Sequence, residues 1–541
     1  MFWKRKSDAT GKDILAMFPP GTFKVYEHDY WWSDKWDAAQ YARDYDFSQP
    51  FFDQLRELMY TVPWFHGSML NLKDSDYCNH AVDLKNCYFC FDCGSDEDSA
   101  YLVGTMGTKN SFDLTSCVGC DASAHSFYCH KSYKAFYSVD CDDCSEIWFS
   151  KDCVGCSNCF GCVGLRNKSY YIFNSPYTKK AYYQEIEKFN LGSLRSLIAL
   201  KNQVRAHWLT FPVKFMHGRN NVDVSGEYLY HCKNVKNSFW VKESQDCRYL
   251  QSCTYSPNND SYDLCIAGLG QERCYEGQGV GLRVADVRFS GFIYDECYNL
   301  DYSLNCHSSS YLFGCVGLRN KQYCILNKQY TKDEYENLVP KIIAHMSEMP
   351  YKDSRGRVYV YGEYFPPEFS PFAYNETVAQ DYLPTTKEKA EAEGFRWANT
   401  AEKSYAVTKR PEDLPDHIRD VPDSILKETI ACAHENKCNE QCRAAFRIIP
   451  MELEFYRIMN LPLPRLCSNC RHSERLRDQN PMRFWHRKCV CAGEKSEGGI
   501  YINQSTHFHG SSPCPNEFET SYAPERAEIV YCEQCYQTEV V

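Results

Sequence analysis

From Tyr77 to Tyr323 the chain alternates short apolar segments with Gly, Asn, Asp and Ser at a nearly constant spacing. Phe239, Tyr249, Tyr262, Tyr275, Val287, Tyr298, Tyr311 and Tyr323 follow one another at steps of ten to thirteen residues. Tyr77, Tyr88, Tyr101, Phe112, Phe127, Phe136, Ile147, Cys159 and Tyr170 keep a looser version of the same beat. Such segments read as short strands joined by tight turns. Cysteines share the rhythm: Cys117, Cys129, Cys141 and Cys153 are twelve apart, and Cys93 lies twenty-four before Cys117. A fixed period of this kind makes each unit stack on its neighbour, so the pattern predicts a mainly β fold, a parallel β-helix-like solenoid. One coil is expected to use two units, about twenty-four residues, because twelve leave little room for an aromatic core.

The solenoid is predicted to come in two blocks. Phe160–Lys179 (FGCVGLRNKSYYIFNSPYTK) and Phe313–Lys332 (FGCVGLRNKQYCILNKQYTK) are identical at fifteen of twenty positions, with an offset of 153. Each block closes with a capping helix: Thr331 and Glu334 form a capping box before DEYENLVPKII, and Thr178 opens KKAYYQEIEKF. The expected organisation is an N-terminal cap (1–70), a first block (71–195), a second block (196–346), a connector (347–431) and a metal module (432–541). Within the cap, Phe51–Tyr60 has a helical pattern. Trp31, Trp32 and Trp36 read as core of a lid over the first coil, with sugar or base stacking as the alternative.

Composition sharpens this picture. The sequence contains 32 cysteines. The basic start at Lys4, Arg5 and Lys6 is not followed by an apolar run, so no signal peptide is expected, and no stretch is apolar enough to span a membrane. A cytoplasmic protein keeps its thiols reduced, so metal binding or packing is expected rather than disulfides. Cys153, Cys156, Cys159 and Cys162 resemble the cysteine run of a bacterial ferredoxin. They also continue the twelve-residue ladder, and no proline follows Cys162. A buried packing ladder is the expectation, an iron–sulfur cluster the alternative.

The ten C-terminal cysteines have another character. Cys438-x3-Cys442 precedes Cys467-x2-Cys470 by twenty-five residues, and Cys491 and Cys514 precede Cys532-x2-Cys535. Paired cysteines at such separations are the pattern of four-thiolate zinc sites. About two zinc ions are therefore expected, in a small α+β tandem zinc-ribbon or treble-clef module. Cys432 competes with Cys438 for the first site; Cys489, His507 and His509 compete for the uncertain ligand of the second. The run Glu454-Phe455-Tyr456, Pro464-Arg465 and Cys467-x2-Cys470-Arg471 resembles a bacterial zinc-ribbon module. Together with the FGCVGLRNK blocks and the tail TSYAPERAEIVYCEQCY, it is similar to uncharacterised cysteine-rich bacterial proteins that carry that module. The resemblance implies the module and no activity.

Charge adds a candidate partner. Between Lys437 and Lys488 eleven basic residues face five acidic ones, whereas the whole chain carries −11. Arg465, Arg471, Arg475, Arg477, Arg483, Arg487 and Lys488 surround Trp485, a combination suited to phosphate contact and base stacking. RNA, DNA or a ribonucleoprotein is the expected partner, with a protein contact as the alternative. The sequence offers no catalytic carboxylate pair. It predicts a non-enzymatic zinc scaffold, ahead of a redox or metal-cluster protein and a carbohydrate-acting β-helix enzyme.

Overall fold

The computed structural model describes residues 2–254, 257–266, 268–399 and 405–540. The fold is mostly β, with 31% strand against 22% helix. Among the described residues no helix is long and apolar enough to cross a membrane. Two compact units are formed, one from Met1–Gly67 and Met216–Ala398, the other from Ser68–Phe215 and Asn399–Val541.

In the second of these units, parallel pairing advances by twelve residues at every step. Tyr133 pairs with Ser145, Ser145 with Ser157, and Ser157 with Ser169. Isolated bridges such as Phe112↔Ala124 and Ala124↔Phe136 keep the same register. The repeat is therefore twelve residues, not the expected twenty-four. Its core explains why so few suffice. Every third residue from Cys78 to Cys162 is buried, and these are Cys, Ser, Thr, Ala and Leu with single Ile and Asp residues. Aromatic rings stay out of that interior; Phe112 and Phe136 instead join a separate buried cluster with Phe455, Tyr456 and Leu463.

A three-residue rule produces the twelve. One residue in each triplet has a left-handed backbone, as at Asp74, Tyr77, His80, Asp83 and Asn86, and the next one points inward. Asn, Asp and Gly tolerate that conformation best, which accounts for the punctuation in the sequence. Two of the three amides bond to backbone carbonyls of neighbouring steps, as Lys85 to Asp96 and Asn86 to Lys73. The third, on the inward residue, finds a side chain at positions where Ser, Cys or Asp stands one step earlier, as in three pairs. Ser111 donates its N–H to Ser99 Oγ (3.1 Å), Ser138 to Ser126 Oγ (3.1 Å), and Cys129 to Cys117 Sγ (3.4 Å). Asp96 plays this part for Thr108, and burial pushes its carboxyl up to about 6.

The duplicated segment closes each ladder. Asn174 Oδ1 accepts from the Val163 amide at 2.8 Å, while its Nδ2 donates to the Val163 carbonyl at 2.7 Å. Asn327 makes the same pair of bonds to Val316. A side-chain amide thus replaces the missing next strand at the edge. Helix Lys179–Ile186 follows behind Thr178, and helix Lys332–Glu348 follows behind the Thr331–Glu334 capping box.

The other unit holds the second ladder, whose step widens to thirteen or fourteen residues between Ser244 and Tyr298 and returns to twelve afterwards. Residues 1–67 group with this second ladder. Phe51, opening helix Phe51–Thr61, stacks edge-on against Phe313 and Tyr302. Gly314 is required at that contact: its φ is +63°, and a Cβ would lie 2.8 Å from the Phe51 ring. Arg319 sits over Trp31 and Trp36 and donates to the carbonyls of Ser33 and Trp36. Trp31 and Trp36 are core as expected, whereas Trp32 is exposed. The expected connector is divided, its first part lying with this unit and residues from Asn399 onward with the other.

Ser138 Oγ both accepts from the Ser150 amide and donates to the Phe136 carbonyl. Ser138→Ala is expected to cost about 1–3 kcal/mol in chemical denaturation, since it strands a buried donor, whereas Ser138→Cys retains an acceptor and should cost less.

Candidate metal centres

Two groups of four buried cysteines each bring their sulfurs within 4.8 Å of one another. The first is Cys432, Cys442, Cys467 and Cys470. Strands Ile430–Ala431 and Ala445–Phe446 pair antiparallel, and the Cys432 amide donates to the Ala444 carbonyl, which holds one end of the group. Cys467 caps helix Ser468–Leu476, and Cys470 lies on its first turn, so both sulfurs face the same point. The Cys470 sulfur lies 3.8 Å from Cys432 and 3.6 Å from Cys467. Amides aim at these sulfurs: Arg443 at Cys467 (3.4 Å) and Cys467 at Cys432 (3.3 Å). Such donors favour thiolates.

The second group is Cys489, Cys514, Cys532 and Cys535. Strand Trp485–Lys488 leads into Cys489 and pairs with Glu517–Thr520, while helix Glu533–Val540 carries Cys535. The Cys514 sulfur lies 3.9 Å from Cys532 and 3.7 Å from Cys535. The Cys532 amide and Asn516 Nδ2 donate to Cys489 and Cys532 respectively.

Six of the eight sequence-predicted ligands meet in these groups, and two do not. Cys432 takes the place expected of Cys438, because the strand pair fixes it beside Cys467. Cys438 lies with His434, Glu440 and Cys470 instead. Cys489 takes the place expected of Cys491, because the amide of Cys532 anchors it; Cys491 lies with His507, His509 and Cys535. The x3 spacing at Cys438 and the long gap after Cys491 are the sequence signals for both exchanges.

The thiols perturb one another. Hydrogen bonds from Cys432, Cys442 and Cys470 hold Cys467 far below the ordinary thiol range, and the same contacts push Cys470 up. Contact with Cys489 and Cys535 holds Cys532 down, while Cys532 pushes Cys489 up to about 12. Sulfurs this close cannot all ionise on their own, and a divalent cation among them removes that conflict. The donor set is compatible with zinc.

The arginines have mixed fates. Arg471 and Arg475, offered by sequence as nucleic-acid contacts, are 5% exposed and point inward. Arg471 Nη1 reaches Glu452 Oε1 at 2.8 Å and Asp113 Oδ2 at 3.2 Å; Arg475 Nη1 reaches Asp113 Oδ1 at 2.9 Å. Two acids and two bases balance, so neither guanidinium is left for a phosphate. Arg465 donates to the carbonyls of Leu463, Leu414 and Pro415, and Arg487 to those of Tyr522 and Ala523. Arg477 pairs with Glu440 and Lys488 with Glu517, both basic side chains remaining exposed. Arg483 lies 5.2 Å over the Trp485 ring. A cavity of about 290 Å³ adjoins the buried pairs, lined by Trp208, Leu197, Tyr137, Pro464 and Arg475 among others.

No family model matches the chain, and no curated protein does. A solved structure described as a "putative acetyltransferase" from Desulfovibrio desulfuricans G20 is similar over 53% of this chain and 85% of its own, at 9% identity. Its TM-score of 0.12 carries no argument about fold or activity.

Burial pushes the Asp113 carboxyl up, but Arg471 and Arg475 more than reverse this and leave it below its ordinary value. Its contribution to stability is thus complete above about pH 4 and fades as pH falls through the lower folded value. Asp113→Ala should cost about 3–5 kcal/mol at neutral pH, because it leaves buried guanidinium unpaired. Denaturant titrations of both proteins from pH 7 downward should show the gap narrowing in acid.

Proposed function

We propose that this protein is a non-enzymatic zinc scaffold: a two-block β-solenoid with capping helices and a C-terminal pair of zinc-ribbon or treble-clef units. The observation that carries the reading is the sulfur geometry of the two groups. Zinc–sulfur bonds of about 2.3 Å set tetrahedral sulfurs about 3.8 Å apart. The separations quoted above lie between 3.6 and 3.9 Å. Closed four-thiolate sites of this kind supply folding energy rather than an open catalytic position. The iron–sulfur alternative has less support, because Cys153, Cys156, Cys159 and Cys162 each donate to the carbonyl two residues earlier, inside the ladder.

The partner we infer is a nucleic acid or ribonucleoprotein, met by Arg477, Arg483, Trp485 and Lys488. Arg483 over Trp485 offers a cation beside a stacking face, and the exposed ion pairs of Arg477 and Lys488 cost little to exchange for phosphate. Arg471 and Arg475 have no part in this surface.

Elemental analysis of the purified chain should give at least two zinc ions, and Cys470→Ser should lose one while the ladder persists by circular dichroism. Iron with acid-labile sulfide, or less than one zinc, overturns the zinc reading. For the partner, Trp485→Ala should weaken single-strand binding by about 1–3 kcal/mol with an unchanged salt slope. Removing Arg477, Arg483 and Lys488 together should flatten that slope by about two to three units. Absence of RNA and DNA binding at low salt would redirect the search to a protein partner.

A further inference from the structure

We propose that the C-terminal centre is dinuclear, with Cys535 bridging the ion of the four-cysteine group to a second zinc held by Cys491, His507 and His509. The inference rests on the zinc reading above and adds a site to it. These four residues bring one ligand atom each within 4.8 Å of the others, and Cys535 belongs to both groups.

Both histidines are prepared as ligands. A carbonyl can only accept, so the 2.6 Å contact from His509 Nδ1 to the Ser512 carbonyl places the proton on Nδ1. That leaves the lone pair on Nε2, which lies 3.3 Å from Cys535 Sγ. His507 Nε2 contacts Glu539 Oε1 at 3.1 Å, so its proton belongs there. Glu539 is itself held in place by the Tyr501 hydroxyl and the amides of Gln504 and Ser505. His507 has a fully buried side chain, and its Nδ1 has no hydrogen-bond partner. A buried lone pair without a donor is costly, and a metal ion would satisfy it. The arrangement in which one ring nitrogen donates to a carboxylate or carbonyl while the other stands free is the one that orients metal-binding histidines.

Cys491 completes the set. Its sulfur is buried and accepts from Asn503 Nδ2 at 3.2 Å, and Asn503 is fixed in turn by the Tyr531 hydroxyl. Electrostatics favours the second ion. Four thiolates around one divalent cation leave a buried net negative charge; a second cation that adds one thiolate and two neutral imidazoles reduces it.

The test is a metal count by native mass spectrometry on the full chain purified with zinc. His509→Ala and Cys491→Ser are each expected to carry one zinc fewer than the wild type, with the four-cysteine ion retained. Equal counts in wild type and variants overturn the second ion and leave the four-cysteine reading intact; a wild-type chain without zinc overturns both. Should those variants fail to fold, zinc absorption spectroscopy of the His434→Ala chain decides. An imidazole shell at about 2.0–2.1 Å beside sulfur is then the expected signal, and sulfur alone overturns the proposal.

Discussion

Both ladders carry one recurring hydrogen bond, from an inward-facing amide to a Ser, Cys or Asp side chain one step earlier, at steps where such a residue stands. A twelve-residue turn is too narrow for large side chains, and its left-handed residues swing one amide in three away from the backbone ladder. An aliphatic interior would bury these donors unpaired, at about 1–3 kcal/mol each. Ser, Thr and Cys are small enough to fit and carry the acceptor that is needed. The thiols are therefore part of the backbone's hydrogen bonding as well as of its packing, as Cys117 shows by accepting from Cys129 while donating to the Thr115 carbonyl.

The first metal group is bound to this construction through charge. Asp113 occupies one left-handed position of the ladder and is fully buried. Its carboxylate meets Arg475 and Arg471, which lie on the helix that also carries Cys470. The second group is held by a different contact: Tyr536, next to Cys535, bonds to Asp152, which also pairs with Arg166. Each helix that carries candidate ligands thus has its own acidic anchor on the ladder, and Arg471 and Arg475 are occupied in forming the first.

Much of the architecture was legible in the chain. The β content, the duplication, the capping box at Thr331 and the helix at Phe51 follow from periodicity and cap chemistry, which act over a few residues. The coil size was not, because the aromatic beat drew attention to Tyr and Phe while the interior belonged to Cys, Ser and Leu at every third place. The partner of the N-terminal segment was hidden as well: its contact with Gly314 and Arg319 spans more than 250 positions of chain and leaves no local pattern. For the metal groups, cysteine spacing located six ligands. Cys432 and Cys489 stood only as alternatives, because a strand pair and the Cys532 amide, not spacing, place them. The burial of Arg471 and Arg475 depends on Asp113, an acid far away in sequence that nothing in a charge count singles out.

The steps of thirteen and fourteen residues in the second ladder bear on how such a chain changes length over time. Four successive steps are widened there, and the register returns to twelve after Tyr298. The wider steps stay confined to this stretch, and the pairs that follow keep the twelve-residue register. Gain or loss of whole turns leaves all remaining amides with the same neighbours. The duplicated segment carries its own terminator, Asn174 in one copy and Asn327 in the other, so a copied block brings its end with it.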